Sequence, residues 1–317
     1  MVTFAEISSS VSADTLLDLL IKRKKKLPWT IQTSLARWVA RRSHRDFPHA
    51  FDNVESYCTF IGHSRSGHSL IAALLDANPN IVMAHEFRAI RYIQASFDRD
   101  SLYYLLLQNT RIRGHSWQRG NGYTYHVEGQ WQGAFEKIKV IGDKHGEMTV
   151  KALASDLALL NKIKQTVKVP VKLIHVVRNP FDNIATMALK ESRKSGLPLD
   201  LQATIDRYFK VCESVTTVER IADNSTVLTL RHENFVRDPE SQLRNLCVWL
   251  GVDYSEDYLS ACASIVFESP HKSRNKVEWS PSDRRAVEQG IGHFSFLSGY
   301  CFENGSDRYS ANRSKLR

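Results

Sequence analysis

From residue 54 onward the chain repeats one pattern: a short apolar run, a turn or charge that stops it, and a longer stretch with apolar residues three and four apart. The first run, "VESYCTFI" (54–61), stops at Gly62. An apolar run of that length without alternation is how a strand buried on both faces looks. Beyond the turn, Leu70, Ile71, Leu74 and Leu75 share one face of a helix predicted from His68 to about Asp76 and ended by "ANPN". Helical spacing returns over about 86–109, "KIKVIGD" (137–143) reads as a strand, and 149–164 reads as a helix. "VKLIHVV" (171–177) is the clearest strand, and a helix opens just after "RNP". A long helix covers 201–222, "STVLTLR" (225–231) is a strand, and "PESQLRNLCVWLG" (239–251) is a helix with Gly at its end. Strands alternating with helices predict an α/β fold of three layers, a mostly parallel sheet flanked by helices.

Residues 1–52 read differently, as a basic helical N-terminal extension ahead of a single α/β domain at 53–317. Within the extension, helices are expected over 15–24, capped by Ser12 or Asp14, and over Gln32–Arg42. The run Lys22 to Lys26 reads as a solvated helix end, with a nucleic-acid or acidic-lipid contact as the alternative. From Arg111 to Gln132 the chain is rich in Gly, His, Trp and Tyr without periodicity, as a long functional loop would be.

Composition narrows the classes. The 317 residues are 42% hydrophobic, ordinary for a globular protein, and the net charge of +9 favours an anionic partner without choosing among anions. Five cysteines without C-x-x-C spacing suit buried thiols in a reducing compartment better than a zinc or disulfide framework. The apolar run Leu16 to Ile21 is broken by Asp18 and precedes its charge cluster, so it does not read as a signal peptide. No stretch approaches the roughly eighteen apolar residues of a membrane span. A cytoplasmic protein without membrane insertion is expected.

The candidate chemistry starts at "GHSRSGHS" (62–69), which satisfies most of the nucleotide-phosphate pattern G-x-x-x-x-G-K-[ST]. His68 stands where the Lys belongs, and Arg65 has entered the loop. A Gly-bearing turn between strand and helix gathers backbone N–H groups and the positive helix end at one point, which makes an anion site. Ser64, Ser66 and Ser69 add hydroxyl donors, and Arg65 adds a forked cation. A second anion clamp is expected in "LIHVVRNPFDNIATM" (173–187). There Arg178 sits at the carboxyl end of a buried strand and Thr186 about two turns into the next helix. Asp182 complements the helix dipole.

The pairing of "RSGHS" with "VVRNPFDNIATM" resembles the sulfotransferases that use 3′-phosphoadenosine 5′-phosphosulfate. In that family a loop [KR]-S-G-T-[ST] holds the 5′-phosphosulfate and a later R-[ND]-P-x-[DE]…[ST] segment holds the 3′-phosphate. The resemblance extends through "IGDKHG" (141–146) and "LRHENFVRDPESQLRNLCVWLG" (230–251) to "SPHKSRNKVEWS" (269–280), covering about residues 54–280. It implies a P-loop-like fold and sulfuryl transfer to a hydroxyl or amine. Two phosphates and a sulfate on one donor would explain two clamps better than a triphosphate does.

Carried over residue by residue, the resemblance implies that Ser64, Arg65, Ser66, Gly67, His68 and Ser69 hold the 5′ end. Arg178 and Thr186 would hold the 3′-phosphate, with Lys272, Ser273 and Arg274 as further candidates. Arg65 would balance charge on the leaving oxygen, and Lys144 would bridge donor and acceptor. Two residues compete for general base. Glu86, in "MAHEF", falls where tyrosylprotein and related sulfotransferases carry a catalytic Glu. His145 corresponds to the family's catalytic His but stands one residue out of register, because "DKHG" places it directly after Lys144. His68 replaces the usual Thr, and His232 replaces an aromatic that stacks on adenine.

No metal is expected, nor any nucleic-acid partner; a small-molecule acceptor is. His115, Trp117, Tyr123, Tyr125, His126 and Trp131 could line its pocket or a lid. Two other classes stay open: a P-loop kinase, with Asp143 as its magnesium carboxylate, and a basic nucleic-acid-binding protein resting on Lys22–Lys26 and Arg41–Arg45.

Overall fold

A computed structural model describes residues 13–22, 27–43, 47, 49–113, 124–223 and 225–303 of the chain. Two helices come first, α1 (Ala13–Lys22) and α2 (Trp29–Ser43). Next follow β1 (Ser56–Ile61), α3 (His68–Asp76), β2 (Ile81–His85), α4 (Ala89–Gln94) and α5 (Arg99–Arg113). After the segment 114–123 come β3 (Val140–Lys144), α6 (Gly146–Ser155), α7 (Leu159–Val167), β4 (Val171–Val177), α8 (Pro180–Ser195) and α9 (Leu201–Ile221). The chain closes with β5 (Val227–Arg231), α10 (His232–Arg237), α11 (Pro239–Leu250), α12 (Glu256–Ser264) and α13 (Pro281–Gly292). A single 3₁₀ turn, Ser273–Lys276, precedes α13.

The five strands form one parallel sheet in the order β2-β3-β1-β4-β5. The central strand β1 is buried at every position, as its unbroken apolar run requires. Its side chains divide by the strand period of two: Tyr57 and Ile61 enter the core on one face, Cys58 and Phe60 the core on the other. α3, α11 and α12 cover the second face. The first face is covered by α4 to α7 and α9, and α1 and α2 belong to it as well. Leu16, Leu17, Leu35 and Val39 are buried in the same cluster as Leu102 and Leu106 of α5. A third cluster joins α8, α9 and α13.

Chain direction across the sheet reverses around β1, because β2 and β3 lie to one side of it and β4 and β5 to the other. Ligands of open parallel sheets bind outside the carboxyl ends of the strands at such a switch. Three elements depart from the sequence reading. The run at 81–85 is a strand, which four apolar residues and a His without flanking Gly cannot announce. The stretch 86–109 divides into α4 and α5 at Ser96, which adopts φ 59°. The helix expected at 149–164 breaks at Asp156, an extended residue whose carboxylate accepts the Ala158 N–H at 3.1 Å. All five cysteines are free thiols, four of them buried. Among the described residues no helix is long and apolar enough to cross a membrane.

Candidate active site

The turn that leaves β1 is built around Gly67, which caps α3 with φ 112°. A Cβ there would lie 2.5 Å from Nδ1 of His232, so both backbone and neighbour demand glycine. Arg65 also adopts a left-handed φ, 72°, without glycine's freedom. Neighbouring elements hold the turn in place. Asn183 of α8 donates to the Ser64 carbonyl at 3.1 Å, and the Ser64 N–H donates to the Glu147 carboxylate at 3.4 Å. Ser66 is buried and donates its hydroxyl to the His63 carbonyl at 2.9 Å, so its side chain shapes the turn from inside. His68 also faces inward. Its ring packs on Phe60, with centroids 5.3 Å apart, and on Gly146, where a Cβ would come 2.3 Å from Cε1. Burial, with Lys144 adding to it, holds the His68 pKa well below the usual imidazole range. A neutral ring therefore occupies the position where a triphosphate enzyme carries a cation.

Lys144 ends β3 and links the loop to Glu86. Its Nζ donates to Glu86 Oε1 at 2.9 Å and to Ser69 Oγ at 3.0 Å. Burial works to raise the Glu86 pKa, but the charge and hydrogen bond of Lys144 outweigh it and hold the carboxyl at about 2. Glu86 is thus ionised, and it sits at φ 51° in a turn where Arg88 is left-handed too. Asp143 is what forces that turn. Its two carboxylate oxygens accept the N–H groups of Phe87 at 2.9 Å and Ala89 at 2.8 Å. The carboxylate proposed to hold magnesium for a kinase is therefore buried and spent on the backbone, a correction to the kinase alternative. His145 is the N-cap of α6. Burial lowers its pKa despite Asp143 and Glu86 nearby.

The second clamp forms around Arg178, which is 8% exposed. Its Nη1 donates to the Arg65 carbonyl at 3.2 Å and lies 3.4 Å from Thr186 Oγ1. Its Nη2 donates to the His271 carbonyl at 2.7 Å and Ser273 Oγ at 3.2 Å. Burial lowers the Arg178 pKa, and its Nε is buried without a partner, so an arriving anion would meet a poorly solvated cation. Ser273 joins this clamp as the sequence suggested, but its neighbours do not. Arg274 turns away, pairing with Asp182 through Nη2 at 2.7 Å and Nε at 3.0 Å and donating to the Cys301 carbonyl at 3.1 Å. Asp182, read as a helix-dipole residue, is that buried ion pair's other half. Lys272 is exposed and does not line the cavity.

Both clamps open into one cavity of about 1300 Å³, which Arg65, Ser69, Glu86, Lys144, His145 and Arg178 all line. His115, Trp117 and Tyr123 lie outside the described residues, as do Arg23–Lys26 and His44–Arg45. Of the aromatic segment, Tyr125 reaches the cavity, whereas Trp131 is 40% exposed and does not. The cavity also contains residues the sequence reading passed over: Glu147 and Lys151 on α6, and Lys190 and Arg193 on α8. The α8 pair had a readable signal, since they stand four and seven residues past Thr186 on the same helical face.

Comparison with known proteins follows the same outline. Residues 59–256 match the model of the sulfotransferase family. The omega-hydroxy-beta-dihydromenaquinone-9 sulfotransferase Stf3 of Mycobacterium tuberculosis is 25% identical over 158 residues, 46% of this chain and 38% of that protein. The chain thus matches well under half the length of that relative. The crystal structure of sulfotransferase STF9 from Mycobacterium avium covers 91% of this chain and 98% of its own, at 10% identity and a TM-score of 0.46. Mouse sulfotransferase SULT7A1 complexed with PAP covers 77% of this chain and 87% of its own, at 13% identity and a TM-score of 0.42. With the family match running from the middle of β1 to the start of α12, through the loop, Glu86, Lys144 and Arg178, the chain belongs to the sulfotransferase family.

Proposed function

We propose that this protein transfers the sulfuryl group of 3′-phosphoadenosine 5′-phosphosulfate to a hydroxyl or amine of a small-molecule acceptor. The observation that carries the reading is one cavity with two built cationic clamps and a carboxylate–lysine pair at the end of the loop. A bisphosphorylated nucleotide has one anion for each clamp. The unpartnered Nε of Arg178 and Nδ1 of His232, both buried beside the cavity, fit a polar ligand placed there. The mycobacterial relative is named for an omega-hydroxy compound as its acceptor, in keeping with this assignment.

The residues divide the reaction as follows. The loop N–H groups and Arg65 hold the 5′-phosphosulfate, and Arg178, Thr186 and Ser273 hold the 3′-phosphate. Glu86 takes the acceptor's proton as the acceptor oxygen or nitrogen bonds to sulfur. The bond between sulfur and the phosphate oxygen breaks, and Lys144 neutralises the charge that develops on that oxygen. His145, neutral at the positive end of α6, is suited to orient the acceptor by a hydrogen bond rather than to remove its proton.

Calorimetric binding of 3′-phosphoadenosine 5′-phosphate, beside ATP with Mg²⁺, tests this on wild type and Arg178→Ala. The bisphosphate binds without metal, and the substitution weakens it at least about tenfold, as loss of a charged hydrogen-bond donor to phosphate should. A preference for ATP with Mg²⁺, or indifference to Arg178, rejects the reading.

A further inference from the structure

Besides the donor clamps, the cavity is lined by one face of each of two helices. On α6 it is lined by Met148, Lys151, Ala152 and Ser155, and on α8 by Leu189, Lys190 and Arg193. The α6 face starts beside the reaction centre, at its cap His145, and the α8 face starts at Thr186 of the second clamp. At 1.5 Å per residue, the seven residues from Thr186 to Arg193 carry the α8 face roughly 10 Å along the helix.

The charge along these faces exceeds what the donor needs. Seven Lys and Arg side chains line the whole cavity against two carboxylates. Each carboxylate already has its own lysine, Glu86 with Lys144 at 2.9 Å and Glu147 with Lys151 at 2.7 Å. Arg65 and Arg178 serve the two donor phosphates, and Lys276 belongs to the 3₁₀ turn that brings Ser273 to the second of them. Lys190 and Arg193 are left, exposed on α8, and among the described residues neither makes an ion pair or hydrogen bond. The same two faces also contribute the apolar Met148, Ala152 and Leu189.

From this arrangement we infer that the acceptor is an amphipathic molecule that already carries a negative group. Its hydroxyl lies at Glu86, its apolar body lies along Met148 and Leu189, and its anion is held by Lys190 and Arg193. The inference rests on the sulfotransferase reading and names the substrate class of that site. Lys190 and Arg193 act as specificity residues, and a neutral acceptor of the same length leaves both cations without a partner.

The test is calorimetric and uses the full chain saturated with 3′-phosphoadenosine 5′-phosphate, titrated with ω-hydroxydecanoate and with decanediol. Wild type binds the acid about tenfold more tightly than the diol, the scale of hydrogen bonds to charged groups. Lys190→Ala with Arg193→Ala removes that preference and leaves diol binding unchanged. The double variant also binds the nucleotide as wild type does. Equal or absent binding of acid and diol by wild type overturns the inference. So does a double variant that loses nucleotide affinity, because the two cations would then belong to the donor clamp. Failure of wild type to bind the nucleotide at all sinks the underlying sulfotransferase reading instead.

Discussion

At the scale of single residues, the proposed base, Glu86, rests in too weak a form. A carboxyl held at about 2 is a poor acceptor for a proton near neutral pH, since base strength should approach the working pH. Lys144 imposes that low value, and Lys144 is also the group a leaving phosphate would recruit. When the donor draws the ammonium away and adds its own negative charge, both changes raise the Glu86 pKa. The sign is definite. The acid limb of kcat/KM for the donor, which reports free enzyme, lies below the ordinary carboxylate range of about 4.3, and the acid limb of kcat lies above it. A pH series over both constants checks the order of the two limbs. Glu86→Gln lowers kcat by about 10²–10⁴ and leaves nucleotide affinity within a factor of about three, the range expected for loss of a general base.

At the scale of elements, the strap that carries Ser273 and the His271 carbonyl to Arg178 is fixed by a contact the sequence could not reveal. Arg274 and Asp182 are each 3% exposed and pair at 2.7 Å, and the Asp182 carboxylate also accepts the Arg274 backbone N–H at 2.9 Å. Arg274→Met leaves Asp182 buried and unpaired, and it destabilises by about 3–5 kcal/mol in urea unfolding. It also weakens nucleotide binding, because the strap loses its anchor on α8. The double variant Arg274→Met with Asp182→Leu recovers much of the stability, since an apolar pair of similar volume replaces the ions. Its nucleotide affinity reports whether the strap has kept its place.

This contact also shows where legibility stopped. Local patterns give β1, α3, β4 and α9 to within about two residues and the start of α8, because each is a periodic or fully apolar segment. The strand at 81–85 was hidden, because β3 pairing and not its own pattern decides its state. That the loop and Arg178 meet at one cavity is readable from their positions between strand and helix. The roles of Asp143 and Arg274 are not, because both depend on partners tens of residues away. A carboxylate at a strand end looks the same in sequence whether it faces a metal or a backbone turn.

At the scale of the whole molecule, the packing of the loop on imidazoles sets a limit in acid. Burial pushes His63 to about 4 and His175 and His232 to about 3, with His68 well below its ordinary range. His63 gains a 2.8 Å hydrogen bond to the Tyr208 carbonyl and His175 has Glu219 at 3.8 Å, but burial dominates for both. A folded pKa below the unfolded value of about 6.5 gives stability that is fully present above 6.5 and lost as pH falls toward the folded values. Each such histidine contributes a slope of about 1.4 kcal/mol per pH unit in that window. The depressed carboxyls of Glu86 and Glu147 lose their contribution only below about 4.3, so the two effects fall in different windows. Urea midpoints followed from pH 7.5 downward are therefore expected to fall steeply below about pH 6.5, before the depressed carboxyls of Glu86 and Glu147 titrate. His175→Gln, which removes one titrating ring, lessens that slope by about a quarter whatever it does to absolute stability at pH 7.5. An unchanged slope would place the acid sensitivity elsewhere than in the imidazoles under the loop.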